Sequence, residues 1–301
     1  MQSVRMLCIT RIRILVAFVF LIMVACAEAQ IVRIGQSINL NGISKDFGLY
    51  GQVVTTYQGK FGYYAFWQPA GQPIHVLTLP VGSLTGIDQH CMAGTYTSEV
   101  NLAGFQQCED NNGNWQFHSF DMGANATVIV SQIPGSEAVA GYFDNGHLQD
   151  TGFIATPVLD GDGNVVTYNT KTYAVPGAKS TQLLVANQYG IGGSFENAQG
   201  NSVGFLQRTN GPFEIITFPA ATNVGVTGIN QGCIAGYFQI GLADQRGFFR
   251  CEGDPIPFDM GYGGTFITEI TDDNILVGYA QDPGEGTNFG FIWDGVTTTL
   301  H

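Results

Sequence analysis

The sequence predicts an all-β protein built from repeated four-stranded sheets, on three observations. Only 12% of the 301 residues are charged, whereas 41 are glycine and 12% are aromatic, a composition that suits short strands joined by tight turns. After the first thirty residues no segment shows the sustained 3.6-residue apolar period of an amphipathic helix. Two glycine motifs recur along the chain. Disorder is excluded, because disordered segments are poor in aromatic residues and rich in charge.

The first 29 residues are typical of a cleaved signal peptide. A basic start is followed by an apolar run from Ile14 to Val24, and Ala27-Glu28-Ala29 supplies the small residues of a cleavage site. The run is shorter than the roughly twenty residues that a membrane helix needs. One alternative is a lipoprotein anchored at Cys26. The sequence therefore predicts a secreted, extracellular or periplasmic protein whose mature domain spans residues 30–301.

The net charge of the mature chain limits the classes of partner that it can bind. Without the first 29 residues the chain has 8 Lys+Arg and 23 Asp+Glu, a net charge of −15, and no Lys/Arg cluster. Binding to nucleic acid requires a basic surface that displaces counterions from phosphates. We therefore exclude nucleic acid and anionic membranes as partners, expect no membrane insertion, and expect a soluble monomer because like charges repel.

Two glycine motifs recur in five copies of the repeat, and a degenerate copy precedes them. The first ends an apolar run, and the second, a Gly-Phe pair, follows ten to twelve residues later. Between Gly51 and Gly278 the successive first glycines are 43, 47, 52, 43 and 42 residues apart. The first copy is degenerate, with Gly51 followed by Ala65-Phe66-Trp67. The other copies have Gly94-Thr95-Tyr96, Gly141-Tyr142-Phe143, Gly193-Ser194-Phe195, Gly236-Tyr237-Phe238 and Gly278-Tyr279-Ala280, with the pairs Gly104-Phe105, Gly152-Phe153, Gly204-Phe205, Gly247-Phe248 and Gly290-Phe291.

Each copy predicts a four-stranded antiparallel meander, and six such copies predict a β-propeller. In the fifth copy we expect strands near 226–229, 233–238, 247–251 and 255–260, with turn residues between them. Four-stranded units at this spacing are typical of propeller blades. We expect the glycines of the Gly-aromatic pairs to let a ring of a neighbouring blade approach the backbone. The spare segment Ile31–Ile34 is expected to pair with the last blade and close the ring.

Several motifs resemble the HAF family of probable extracellular repeats. The similarity rests on Tyr64-Ala65-Phe66-Trp67, Thr227-Gly228-Ile229-Asn230 and Phe289-Gly290-Phe291-Ile292-Trp293. It spans residues 37–301 and is strongest in copies four to six. No copy keeps the family's histidine before the Ala/Gly-Phe pair. The resemblance implies bacterial export and a propeller-like repeat fold, and it brings no catalytic residues.

The four cysteines of the mature chain predict two disulfides, Cys91–Cys108 and Cys233–Cys251. Each pair occupies the same two places in its copy, three residues before the first glycine and four after the second. If the second and third strands form a hairpin, the members of a pair lie nearly opposite each other. An exported chain with an even number of cysteines usually pairs them. A four-thiolate zinc site is disfavoured, because the two pairs lie three blades apart.

Two sets of oxygen-bearing side chains are candidate sites. Asp160, Asp162 and Asn164 alternate as in a calcium loop, although Val165 and Lys171 stand where such a loop has Gly and an acid; an ordinary hairpin turn is the alternative reading. The turns between first and second strands form an acidic set that would ring one mouth of a propeller, or simply cap those turns. That set comprises Asp46, Asp88, His90, Glu137, Asp272 and Asp273.

No catalytic constellation is present in the sequence. There is no Gly-x-Ser-x-Gly elbow, no His-Glu-x-x-His spacing and no glycine-rich phosphate loop before a helix. We predict no catalytic residues and no cofactor other than calcium in that turn. The favoured function is a non-catalytic binding or surface protein that recognises a glycan or an extracellular protein through a propeller face. The alternative is a secreted carbohydrate-active enzyme with an acidic site at the channel mouth.

Overall fold

The described residues of the computed structural model form 24 β-strands in six successive four-stranded units. It describes residues 37–300 apart from short gaps at 45–47, 58–59, 70–72, 74, 78–81, 89–90, 99–100, 111–112, 123–125, 145, 147–148, 162–163, 243–244, 262, 283, 285–286 and 297. The predicted signal peptide, Cys26, the spare segment Ile31–Ile34, Asp46, His90 and Asp162 lie outside the described residues. Within them no helix is long and apolar enough to cross a membrane.

The first three units follow one another from the start of the described chain. Unit 1 contains β1 (Ser37–Ser44), β2 (Gly48–Tyr57), β3 (Lys60–Gln68) and β4 (His75–Val76). Unit 2 contains β5 (Gly82–Ile87), β6 (Cys91–Thr97), β7 (Leu102–Glu109) and β8 (Trp115–Phe120). Unit 3 contains β9 (Thr127–Ile133), β10 (Ala138–Asp144), β11 (Asp150–Leu159) and β12 (Val165–Tyr173).

The last three units have the same plan. Unit 4 contains β13 (Ser180–Asn187), β14 (Gly190–Glu196), β15 (Ser202–Arg208) and β16 (Phe213–Ile216). Unit 5 contains β17 (Asn223–Ile229), β18 (Ile234–Gln239), β19 (Arg246–Arg250) and β20 (Ile256–Phe258). Unit 6 contains β21 (Gly264–Ile270), β22 (Leu276–Gln281), β23 (Asn288–Trp293) and β24 (Thr298–Leu300). The four strands predicted for the fifth copy are confirmed.

Consecutive strands within each unit pair antiparallel. Units 4 and 5 share one eight-stranded sheet, because a single parallel pair joins Ser202 of β15 to Asn223 of β17. Among the described residues no strand of unit 1 forms a ladder with unit 6. The first strands nevertheless pack side by side in chain order, and β1 also packs against β21, β22 and β23. The first strands are therefore innermost, around a common axis.

Every first strand contains a β-bulge at the same place. The pairing with the second strand skips one residue in each unit. A bulge leaves one residue unpaired and turns its neighbours' backbone groups. The skipped residues are Asn41, Thr85, Val130, Leu184, Thr227 and Thr268.

The bulges explain the first glycine of the repeat. At that glycine in each unit, an added Cβ would meet a carbonyl oxygen of the unit's own first strand far inside van der Waals distance. In unit 5, for example, a Cβ on Gly236 would collide with the carbonyl oxygen of Gly225 and lie 2.8 Å from Cε1 of Phe248. Only glycine leaves room for the carbonyl that the bulge turns outward. The six glycines are Gly51, Gly94, Gly141, Gly193, Gly236 and Gly278.

The second glycine leaves space for a side chain of the next unit, and this side chain is aliphatic and not aromatic. A Cβ on Gly152 would lie 2.8 Å from Cγ of Leu183, and one on Gly247 would lie 2.9 Å from Cδ1 of Ile267. Leu40 fills the same place beside Gly290, which joins unit 6 to unit 1. The expectation of an aromatic ring from the neighbouring blade was wrong at these glycines, because the innermost strand presents an aliphatic residue there. The phenylalanine that follows is buried in every unit (Phe66, Phe105, Phe153, Phe205, Phe248 and Phe291).

Both predicted disulfides are present. Cys91 and Cys108 are paired residues of β6 and β7, with Cα atoms 4.1 Å apart. Cys233 and Cys251 flank the paired strands β18 and β19, with Cα atoms 3.9 Å apart. Each bond closes a short hairpin, for which the chain-entropy model gives about 3 kcal/mol of stabilisation.

Candidate functional site: a polar ring around the axis

Hydrogen bonds between the bulges of neighbouring units show how the first strands are oriented relative to one another. At four of the six bulges, the bulge residue donates a side-chain hydrogen bond to the backbone carbonyl of the buried residue that precedes the bulge in the next unit. Thr85 Oγ1 donates to the carbonyl oxygen of Ile129 at 2.8 Å, and Thr268 Oγ1 donates to that of Leu40 at 2.9 Å. Equivalent bonds start at Asn41 and Thr227. Because equivalent positions are joined, the first strands run in the same direction and their ends share a face.

The described members of the predicted acidic set, Asp88, Glu137, Asp272 and Asp273, therefore lie at one end of the axis. Asp88 contacts the next unit, because its Oδ2 accepts a hydrogen bond from the backbone amide of Gly135 at 2.8 Å. The backbone carbonyl of Glu137 accepts one from Gln106 Nε2 at 2.8 Å. Asp272 and Asp273 are exposed in the turn between β21 and β22. The contact made by Asp88 joins two turns of neighbouring units and is not a cap of the local backbone.

The calcium-loop candidate forms a hydrogen-bonded turn between β11 and β12. Asp160 Oδ1 accepts a hydrogen bond from the amide of Asn164 at 2.8 Å, and Oδ2 accepts one from Asn164 Nδ2 at 3.2 Å. Asp110 and Asn114 form the same two bonds in the turn between β7 and β8. This recurrence at equivalent hairpins favours the turn reading. In the described parts of the chain no three His, Cys, Asp or Glu side chains are grouped to hold a metal ion.

A second set of residues, most of them polar, lies toward the other end of the first strands. It consists of the residue after the first glycine of each unit and the first-strand residue that pairs with it. We name this set the axial ring. Its six pairs are Gln52 with Asn39, Thr95 with Ser83, Tyr142 with Val128, Ser194 with Gln182, Tyr237 with Gly225 and Tyr279 with Phe266.

The tyrosines of the axial ring converge. Tyr237 of unit 5 forms a side-chain hydrogen bond with Ser194 of unit 4, and its charge would raise the pKa of Tyr142 and of Tyr279. Units 3 and 5 are not adjacent, so the electrostatic effect of Tyr237 on Tyr142 indicates that both side chains lie toward the axis. Gly225 makes this possible: a Cβ there would lie 2.6 Å from Cζ of Tyr237.

Hydrogen bonds connect the ring residues to neighbouring units. Gln182 Nε2 donates to Asp150 Oδ2 at 2.6 Å, and Gln182 Oε1 accepts from Ser194 Oγ at 3.4 Å. On the far side, Asn288 Nδ2 donates to Asn39 Oδ1 at 2.7 Å, which joins unit 6 to unit 1. Gln52 Nε2 reaches the carbonyl oxygen of Gly82 in unit 2 at 3.2 Å. Every unit contributes to this polar layer.

The electrostatics of the ring favour neutral hydrogen-bonding groups. Burial raises the pKa of Tyr142 to about 12, and the charge of Asp150, together with that of Tyr237 when it ionises, adds to the shift. Burial likewise raises the pKa of Tyr279 to about 12. Both phenols therefore stay protonated at neutral pH. Asp150 is the single carboxylate that contacts the ring in the hydrogen bonds described, and no ring member is basic.

From the sequence we proposed the acidic turns at the other end of the first strands and did not single out the axial ring. The signal was nevertheless present, because Gly141-Tyr142, Gly236-Tyr237 and Gly278-Tyr279 place a tyrosine at one recurring position. The sequence alone does not show which face of the second strand points toward the axis.

Comparison with solved structures shows the fold. An arginine-to-alanine mutant of AofleA from Arthrobotrys oligospora has a TM-score of 0.54 at 15% identity, with 89% of this chain and 86% of that chain covered. The chain has a propeller-like repeat fold. The fungal lectin of Aleuria aurantia, a six-bladed β-propeller with a fucose recognition mode, has a TM-score of 0.40 at 11% identity, covering 84% and 89%. The β-propeller domain of the trilobed protease of Pyrococcus furiosus gives 0.47 at 9%, covering 83% and 78%.

No family model and no curated protein matches the chain. The resemblance to HAF repeats is thus supported only in its coarser part, the propeller-like repeat fold. At these identities the likeness to solved structures extends to the fold and not to the ligand.

Proposed function

We propose that the protein is an exported, non-catalytic binding protein that holds a neutral saccharide in the axial ring of a closed six-bladed propeller. The mature domain spans residues 30–301, after a signal peptide over residues 1–29, and acts as a monomer. Export is supported by the two disulfides, which form in oxidising compartments. Closure is supported by the hydrogen bonds of Thr268 to Leu40 and of Asn288 to Asn39, between the last and first units.

The observation that carries the proposal is the axial ring itself. Phenol, amide and hydroxyl groups from all six units lie at one level around the axis, together with one carboxylate. Such groups donate and accept hydrogen bonds as sugar hydroxyls require, and tyrosine rings offer an apolar face to a pyranose. Tyr279 is already held in a stack with Phe266, with ring centroids 4.7 Å apart.

The charge of the ring supports a neutral ligand and a binding role. An anionic saccharide would meet Asp150 without a cation among the ring residues to pair with. Glycoside hydrolysis normally uses two carboxyl groups that flank the scissile bond, whereas the described hydrogen bonds of the ring include one. The similarity in fold to a fucose-binding fungal lectin is compatible with saccharide binding, but the proposal does not depend on it.

The test is saccharide binding with hydroxyl-deletion variants. Neutral and anionic oligosaccharides are screened on an array, and the best ligand is titrated calorimetrically against the mature chain. Tyr237→Phe removes one hydroxyl from the ring and should weaken binding about tenfold, as expected for one hydrogen bond worth about 1.4 kcal/mol. Hydrolysis of the same ligand is monitored in parallel and should be absent.

The matched control is Tyr96→Phe. Tyr96 follows Thr95 on β6, and its hydroxyl contacts Ser119 Oγ on β8 at 3.0 Å, away from the ring. This variant should bind as the wild type does. Binding restricted to anionic saccharides, or equal affinities of the Tyr237→Phe variant and the wild type, would refute the assignment of the site.

A further inference from the structure

The junction between units 6 and 1 contains a carboxyl group where the other units have none. Glu269 follows the bulge of β21 and faces unit 1. The equivalent residues after the other bulges are Gly42, Gly86, Ser131, Val185 and Gly228. The carboxyl group fits because Gly42 has no side chain: an added Cβ there would collide with Glu269 Oε2. The glycine at position 42 in unit 1 and the glutamate at position 269 in unit 6 are therefore complementary in size.

Among the described residues, the side chain of Glu269 forms its hydrogen bonds with unit 1. Its Oε2 accepts a hydrogen bond from the backbone amide of Ile43 at 2.8 Å and from the hydroxyl of Tyr50 at 3.5 Å. The titratable groups that face it are Tyr50 of β2 and Asp272 of the turn after β21, while β1 offers backbone groups. In the described part of the chain Glu269 forms no ion pair.

The surroundings disfavour ionisation of this group. Burial raises the pKa of Glu269 to about 7, and the negative charge of Asp272 raises it further. The hydrogen bonds from Ile43 and Tyr50 act in the opposite direction and lower the pKa. A carboxyl group whose pKa is raised by folding stabilises the folded state fully below its ordinary value of 4.5, and this stabilisation is lost as the pH rises through about 7.

We propose that the contact between units 6 and 1 is a pH-sensitive latch: it holds most tightly while Glu269 is protonated and opens more readily once this carboxyl group is ionised. Other junctions also contain carboxylate contacts, from Asp88 to Gly135, from Asp150 to Gln182 and from Glu214 to Arg250. The junction of units 6 and 1 differs from them because burial raises the pKa of its carboxyl group, Glu269, to about 7. The latch is independent of what the axial ring binds.

Hydrogen exchange measured by mass spectrometry tests the latch. Exchange of β1 amides, corrected for the intrinsic effect of pH, is compared at pH 5.5 and pH 8.5 for the wild type, Glu269→Gln and Asp273→Asn. Opening of β1 in the wild type should become up to about 30-fold more frequent at the higher pH, the factor that linkage gives for a shift from 4.5 to about 7. Glu269→Gln keeps the shape without the charge and should abolish this increase.

Asp273→Asn is the matched control. Asp273 is an exposed carboxylate of the adjacent turn, and its removal should leave the pH response as in the wild type. An unchanged response in Glu269→Gln would overturn the proposal.

The wild type alone provides a second measurement that does not depend on folding of the variant. Carbon-13 labelling of glutamate side chains and titration by NMR should show one carboxyl group with a midpoint near 7. If every glutamate titrates near the ordinary value, the latch does not exist.

Discussion

Replacing Gly236 by alanine tests whether the bulges impose the glycine repeat. The new Cβ would collide with the backbone carbonyl oxygen of Gly225 and lie 2.8 Å from the ring of Phe248. Neither neighbour can rotate away, because the carbonyl is fixed by the bulge and Phe248 is fully buried. Overpacking of this kind costs about 3 kcal/mol, at the upper end of the usual range. For a domain of this size that corresponds to a melting temperature lower by roughly 6–12 °C.

The same unit provides a matched control for this substitution. Gly232 has nothing within 4 Å of an added Cβ, and no left-handed φ is recorded for it. Gly232→Ala should therefore leave stability unchanged or raise it by about 0.5 kcal/mol, because alanine restricts the unfolded chain. Urea denaturation followed by circular dichroism measures both variants. Equal midpoints for the two variants would refute the role assigned to the bulge.

Three further predictions concern the fold and its junctions. Thr268→Val should lower the free energy of unfolding by about 1 kcal/mol by removing the bond to Leu40; urea midpoints equal to the wild type would contradict it. Non-reducing peptide mapping should recover the links Cys91–Cys108 and Cys233–Cys251, and a link between the two pairs in soluble monomer would contradict the unit assignment. Far-UV circular dichroism of the mature chain should show β-structure, and a helix content above about a fifth would contradict the fold.

The repeat was predictable because its causes are local. Bulge, hairpin and Gly-Phe pair recur within about fifty residues, so a fixed spacing of glycines and cysteines exposes the units without any tertiary information. Cys91 and Cys108 show this most directly, since their places relative to Gly94 and Gly104 already put them opposite each other on a hairpin. The reason for the glycines was less predictable. It depends on a carbonyl group turned by the bulge at Gly236 and on an aliphatic side chain from the next unit at Gly247.

The sequence by itself determined the strands, their grouping into units, the disulfide pairs and the acidic, glycine-rich character of the chain. Only the tertiary structure decided which residues meet at the axis and at the junction of the last unit with the first. Ile43 and Glu269 are 226 residues apart in the chain, and Tyr142 and Tyr237 belong to units that are not neighbours. No local pattern couples such residues. They meet because the first strands pack side by side and β1 packs against strands of unit 6.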